Sequence, residues 1–469
     1  MKKLRHNLRA VTALMLSLLL LAGGYCLYSV QVYGGRWFAS STNTRLANQK
    51  NQVIAGDISD RTGLILATTV DGKRTYPRYT DLRKAVAHVV GDNGGYVSNG
   101  AETFMASYLL GFKATAAERI RQLFSSEPAR GDDICLTIDA ELCTYASSLI
   151  SPFVGGAAVV LNYRTGEILC STSWPSFDPR NVQAVLDGRE EDASLYNRVT
   201  QGLYPPGSTF KIVTMASALN YLPDAALRTY VCTGTLDIEN TTVDEAGGSV
   251  HGENTLNMAF AKSCNTAFAS LALELGASRL RKTASDFGVG NNFLFQDLIV
   301  YNSQFPSGTL TADNLAWAGI GQDRVLVTPL HMAMIAAAVG NDGVMMEPRL
   351  LLSATSAQGR ARALLPSRMY KRVCNEAVAS ALTEAMVACV ESGTGTQARI
   401  EGYTVAGKTG SAEVSDDKSV RTHAWFVGFV DDSEHPLAIA VLLEKGGSGG
   451  TVAAPIAQRI LARAIKLGY

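Results

Sequence analysis

Ser208 and Lys211 stand three residues apart at the head of an apolar, helix-compatible run that reaches Leu222. A serine one helical turn from a lysine is a nucleophile with a base on its own face. The amine can take the hydroxyl proton only when neutral, so burial and positive neighbours must lower it far below its free value of about 10.4. Pro205, Pro206 and Gly207 precede the serine and cannot be helical, so the turn begins at Ser208. There, free backbone N–H groups and the helix dipole favour developing negative charge.

Two further strings follow in order. Ser263, Cys264 and Asn265 fall between the apolar stretches Leu256 to Ala261 and Ala267 to Leu275. Polar residues at such a place serve as caps, but Ser263 can also relay a proton between Lys211 and an amine while Asn265 holds a substrate amide. Cys264 points away and carries no chemistry in this reading. Lys408, Thr409, Gly410 and Ser411 then lie in a strand-like stretch, where alternation sends Lys408 and Gly410 to one face and Thr409 and Ser411 to the other. Gly410 lets a ligand approach the backbone, an edge strand can pair with a bound peptide, and the Ser411 N–H can join that of Ser208 as an oxyanion donor. Together these residues predict serine acyl transfer, with Lys408 as the positive neighbour of Lys211.

Rival strings weigh less. Ser415, Asp416, Asp417 and Lys418 repeat the serine–lysine spacing, but the two acids would hold that lysine charged and the string follows Lys408. It reads as a solvated loop. Ser41, Thr42 and Asn43 imitate the second string too early in the chain. Gly402 through Gly407, Lys408 and Thr409 fit the phosphate-binding pattern G-x-x-x-x-G-K-[ST], yet that pattern needs a helix starting at the lysine, and Gly410 with the polar residues beyond it interrupts one.

The elements that must position these residues are legible in outline. Ala157 to Leu161 and Ile168 to Thr172 form a hairpin around Tyr163, Arg164, Thr165 and Gly166, and a helical middle follows. Tyr403 to Val414, Ala424 to Val430 and Leu437 to Leu443 return to strand, and Val452 to Lys466 is a final helix after the flexible turn Gly446 to Gly450. Strands at both ends with helices between imply one α/β sheet assembled from distant sequence.

At 469 residues and 47% hydrophobic, the chain suits two domains with a large core. Lys2, Lys3, Arg5 and Arg9 precede an uncharged stretch from Ala10 to Gly35, long enough to cross a bilayer. It reads as a retained anchor with residues 1–9 in the cytoplasm and everything after about Trp37 outside. Residues 36–135 form a small mixed membrane-proximal module and 136–469 the catalytic domain. Formal net charge is zero, which gives no electrostatic case for nucleic acid. The six histidines are scattered and neither CxxC nor HExxH occurs among the eight cysteines, so neither a metal nor another cofactor is expected, and no disulfide can be assigned.

The three strings, in this order, resemble the active site of the penicillin-binding proteins, and the whole chain beyond the anchor is similar to their class B, single-transpeptidase type. Asp57 to Gly63 looks like the family's membrane-proximal element, Leu136 to Asp139 its entry to the catalytic domain, and Gly319, Ile320, Gly321, Gln322 with Gly393, Thr394, Gly395 also match. Ala55 and Asp323 depart from the pattern, where arginine and glycine are usual. The resemblance implies a penicillin-binding-protein/β-lactamase-like fold, an antiparallel sheet with helices on both sides plus an all-helical region. It also implies a D,D-transpeptidase that acylates Ser208 with a peptidoglycan stem peptide, releases D-alanine and passes the acyl group to an amine. Thr409 and Ser411 would clasp the donor carboxylate, β-lactam antibiotics would trap the serine, and a polytopic glycan polymerase would be the partner. A D,D-carboxypeptidase or serine β-lactamase on the same fold is the rival enzyme, and a β-lactam sensor or scaffold the non-enzyme rival. No Glu-x-x-Leu-Asn string separates Ser263 from Lys408, which argues against a class A β-lactamase.

Overall fold

The computed structural model describes residues 2–38, 48–50, 52–189, 192–415, 417 and 419–469. Ser41 to Asn43, Asp416 and Lys418 of the rival strings lie outside the described residues. Helix α1 spans Lys2–Phe38, and its segment Arg5–Ser29 is long and apolar enough to cross a membrane, with mean hydropathy 2.1.

Beyond α1 lies a six-stranded sheet, in the order Ala361–Leu364, Leu351–Thr355, Asp133–Leu136, Ile58–Ser59, Ile65–Val70 and Lys73–Thr75. Two of its strands come from far along the chain, a pairing that no local pattern announces. Asp60 locks this sheet to the start of the helix Ala140–Ile150. Its Oδ1 accepts the Thr62 and Leu64 amides at 2.9 Å each, and its Oδ2 accepts the Ala140 amide at 3.0 Å. Arg61 beside it donates to the Thr137 carbonyl at 3.1 Å and pairs with Glu167 at 3.2 Å.

A second sheet has five antiparallel strands: β1 Gly155–Asn162, β2 Ile168–Trp174, β3 Val405–Ala412, β4 His423–Val430 and β5 Leu437–Glu444, in spatial order β3-β4-β5-β1-β2. The predicted hairpin is present because Asn162 Oδ1 accepts the Arg164 and Thr165 amides at 3.0 Å each and Gly166 takes φ 77°. Between β2 and β3 come α2 Lys211–Tyr221, α3 Leu256–Ala261, α4 Asn265–Asp286, α5 Pro329–Gly340 and α6 Glu376–Glu391. Apolar all round and buried along its length, α5 crosses one face of the sheet, while Ala140–Ile150 and the final helix, α7 Ala454–Lys466, cover the other.

Two expectations change. The glycines at 446–450 are not a loose turn throughout: a Cβ on Gly449 would fall 2.3 Å from the Gly410 carbonyl oxygen, and one on Gly450 2.4 Å from that of Thr394. Close backbone packing explains them. The final helix is preceded by a π-turn over Gly449–Ala453 and begins at Ala454, with Pro455 in its first turn.

Candidate active site

Ser208 sits on a single 3-10 turn, Gly207–Phe210, that runs directly into α2. Side chains three apart eclipse on such a turn, so Ser208 stands over Lys211. Ser208 is half-buried and Lys211 wholly buried. Backbone contacts fix the turn from several sides. Gly207, at φ 53°, donates to the Gly321 carbonyl at 2.9 Å. Thr214 Oγ1 donates to the Gly319 carbonyl at 2.6 Å, and the Trp425 indole to that of Pro205 at 3.0 Å. Residues 319–322, matched in sequence without a role, are the wall against which the serine turn rests. Asp323 stands next to them at φ 58°, the conformation that makes glycine usual there and that aspartate tolerates better than most side chains.

Lys211 gathers the second string. Its Nζ lies 2.6 Å from the Ser263 carbonyl, 2.7 Å from Asn265 Oδ1 and 3.4 Å from Ser263 Oγ. The turn that delivers these groups is tight: α3 ends with the Cys264 amide bonded to the Ala259 carbonyl at 2.8 Å, and Ser263 is left at φ 63°. Asn265 then opens α4. Its Nδ2 donates to the Asp244 carbonyl at 2.8 Å, which fixes the amide so that Oδ1 faces the lysine. Its backbone amide donates to Glu245 at 2.9 Å, and that of Thr266 to the same carboxylate at 2.8 Å. Glu245 carries no sequence signal as a site residue. Burial pushes its carboxyl up, but the Thr266 and Asn265 amide bonds, the Cys264 thiol and the Lys211 charge together hold it below its usual value.

Burial, reinforced by the Lys408 charge, pushes the Lys211 amine well below its ordinary value, against the pull of Glu245. Burial also brings Lys408 down to about 8. Lys408 packs over the Phe260 ring at 5.5 Å with its Nζ 3.2 Å from the Thr409 carbonyl.

Lys408, Thr409, Gly410 and Ser411 lie in the edge strand β3, whose register with β4 is unbroken from Val405 opposite Val430 to Ala412 opposite His423. Unbroken pairing preserves the predicted alternation. A Cβ on Gly410 would approach the Pro206 carbonyl oxygen to 3.0 Å, so this face abuts the serine turn. Thr409 Oγ1 bonds Thr394 Oγ1 at 2.5 Å, and Ser411 Oγ accepts the Gly449 amide at 3.2 Å. A strand through Lys408 also excludes the phosphate-loop reading, which requires a helix there. The structure thus brings together Ser208, Lys211, Ser263, Asn265 and the β3 residues, while Ser415 is exposed in a loop. Beside the serine turn opens a cavity of about 670 Å³ bordered by Pro205 and Gln322, with Trp317, Asp313 and Glu413 in its wall.

The penicillin-binding protein transpeptidase domain matches residues 156–462. The chain is 32% identical to the peptidoglycan D,D-transpeptidase PbpA of Mycolicibacterium smegmatis, over 98% of each sequence. The ceftriaxone acyl-enzyme of penicillin-binding protein A from Mycobacterium tuberculosis superposes with a TM-score of 0.82 at 30% identity, covering 89% of this chain and 99% of that one. A D,D-transpeptidase domain from Eggerthella lenta gives 0.77 at 30% identity, over 89% and 99%.

Proposed function

The chain belongs to the penicillin-binding protein transpeptidase family, and on that footing we propose that Ser208 is the residue it acylates. It is a serine-type peptidoglycan D,D-transpeptidase. The observation that carries the site assignment is the buried Lys211 amine held between two short acceptors, Ser263 O and Asn265 Oδ1. A neutral amine has two N–H bonds; both are used there, and its lone pair is left for the Ser208 hydroxyl proton.

Ser208 Oγ attacks the carbonyl of the penultimate D-alanine while Lys211 takes its proton. The oxyanion is received by the Ser208 and Ser411 backbone N–H groups, each worth about 3–4 kcal/mol of transition-state stabilisation. Ser263 passes the proton from Lys211 to the departing D-alanine amine, leaving an ester on Ser208. An acceptor amine then attacks that ester, the proton path runs in reverse, and the crosslink forms. Asn265 holds the donor's amide, Thr409 and Ser411 clasp its carboxylate, Gly410 keeps the strand open to it, and Lys408 supplies positive potential. A β-lactam follows the first half of this course and stays attached.

Residues 10–35 are assigned as the anchor, 36–135 as the membrane-proximal module and 136–469 as the catalytic domain. The apolar segment in α1 supports attachment to a bacterial membrane. The basic residues Lys2, Lys3, Arg5 and Arg9 support a cytoplasmic N-terminus and an external catalytic domain. A polytopic glycan polymerase is the proposed partner, on the likeness to compact class B proteins.

Intact-mass measurement with a penicillin tests the reading. Wild type and Ser415→Ala should gain one adduct and Ser208→Ala none; an adduct on Ser208→Ala removes the assignment. With a donor stem peptide and an acceptor amine, crosslinked product is expected, and trimmed donor alone would mark a carboxypeptidase.

A further inference from the structure

Behind the Ser263–Asn265 turn, four side chains from separate segments converge. Cys232 ends the strand Tyr230–Cys232 and faces Gly252 of the antiparallel strand Gly252–Asn254, just ahead of which lies His251. Glu245 follows the strand Thr241–Asp244, and Cys264 immediately precedes α4. Cys232 Sγ lies 3.6 Å from His251 Nδ1 and 3.5 Å from Glu245 Oε1. Cys264 Sγ lies 3.1 Å from Glu245 Oε1, and His251 Nδ1 lies 3.7 Å from Glu245 Oε2. All four ligand atoms fall within 4.8 Å of one another.

These separations suit one tetrahedral ion. Zinc binds sulfur at about 2.3 Å and nitrogen or oxygen at about 2.0–2.2 Å, which sets the corners of its tetrahedron about 3.3–3.8 Å apart. Two thiolates with an imidazole select zinc over magnesium or calcium, which prefer oxygen. The geometry points to a structural zinc site formed by Cys232, Glu245, His251 and Cys264, which anchors the turn carrying Ser263 and Asn265 to the small strands beside it. Such a site runs against the expectation of no metal. Its ligands are spread over 33 positions, 232–264, with no CxxC or HxxxH spacing to mark them in the sequence.

Binding conserves charge. The two thiols release their protons to solvent as the dication enters, so the cluster keeps the single negative charge that Glu245 alone gives it, and the neutral state of Lys211 is not disfavoured. Without metal, burial pushes the Cys264 thiol up to about 12; a bound cation removes that proton. Glu245 can bind through one oxygen while it keeps the Asn265 and Thr266 amides, which makes it the link between ion and catalytic turn.

The test uses the full chain in detergent, with Zn²⁺ as the probe. Elemental analysis after zinc loading and desalting should give one zinc per chain. Co²⁺ in its place should show thiolate charge-transfer bands and tetrahedral d–d bands. His251→Ala and Cys232→Ser should weaken zinc binding by at least about tenfold, with Cys26→Ser as an unaffected control. Chelation of wild type should lower its melting temperature and slow penicillin acylation, and added Zn²⁺ should restore both, which avoids reliance on variants that fail to fold. No zinc above background, zinc content indifferent to both substitutions, or a Cys232–Cys264 disulfide in the isolated chain would each overturn the site. Acylation unchanged after complete zinc removal would overturn the anchoring role. Metal content is read without turnover, so these outcomes are separate from the fate of the Ser208 assignment.

Discussion

Gly207 and Gly321 meet backbone to backbone: the Gly207 amide donates to the Gly321 carbonyl at 2.9 Å, and a methyl group on Gly321 would lie 2.1 Å from the Gly207 carbonyl oxygen. Such contact leaves the turn no freedom to drift. Gly321→Ala should therefore displace Ser208 and reduce acylation by penicillin about 100-fold, since misplacement by an ångström costs that much. Because Gly321 is also at φ 77°, melting should fall by several degrees, about 2–4 °C per kcal/mol lost. Stopped-flow acylation and thermal unfolding measure the two effects separately.

Asn265→Asp probes the neutral lysine. The change replaces an amide oxygen 2.7 Å from Lys211 Nζ with a carboxylate, which favours the ammonium form and raises the lysine pKa. Acylation at neutral pH should drop, and the acid limb of its pH profile should move to higher pH. A uniform loss at every pH would mean that Asn265 acts without influence on Lys211.

Lys408 should set the alkaline limb. With its folded value brought down to about 8 by burial, it is charged below that pH and neutral above it. Acylation by an anionic β-lactam should therefore decline as pH rises through about 8, and Lys408→Arg, which keeps its charge, should remove the limb whatever its absolute rate. The linkage for stability has the opposite sense. Between about 8 and the ordinary 10.5 the unfolded chain binds more protons than the folded one, so stability rises with pH in that window. Lys408→Met should raise the melting temperature at pH 7 while acylation is lost.

Asp60→Ala addresses the joint between the six-stranded sheet and the catalytic domain. It strips acceptors from the Thr62, Leu64 and Ala140 amides, two of them bonded at 2.9 Å and one at 3.0 Å. A loss of about 2–4 kcal/mol is expected, read by denaturant unfolding. The acylation rate per folded molecule should stay near wild type.

Much of the site was legible because its chemistry is local in sequence. Ser208 and Lys211 share one turn, the hairpin of β1 and β2 announces itself through Asn162 and Gly166, and Lys408 to Ser411 keep strand alternation. Contacts that join distant backbone were not legible. Nothing in the glycines at 449 and 450 says that they press on Gly410 and Thr394 rather than flex, and nothing near Glu245 says that it caps α4 behind the lysine. Thr394 was matched only as part of a string; its bond to Thr409 needs the three-dimensional approach of α6's end to β3. Strand partners chosen across long separations, as with Leu351–Thr355 beside Asp133–Leu136, arise from packing that no window of sequence contains.

That last pairing constrains how the molecule can be made. Strand Asp133–Leu136 sits between Ile58–Ser59 and Leu351–Thr355, so as the polypeptide emerges its early strands must wait, one edge open, until more than half of the remaining chain has been synthesised. The segment that follows α1 is consequently among the first to appear yet is closed only when Leu351–Thr355 arrives. A truncation starting after Leu136 would strip Leu351–Thr355 of its neighbour and present that raw edge to other molecules, inviting self-association in place of solubility.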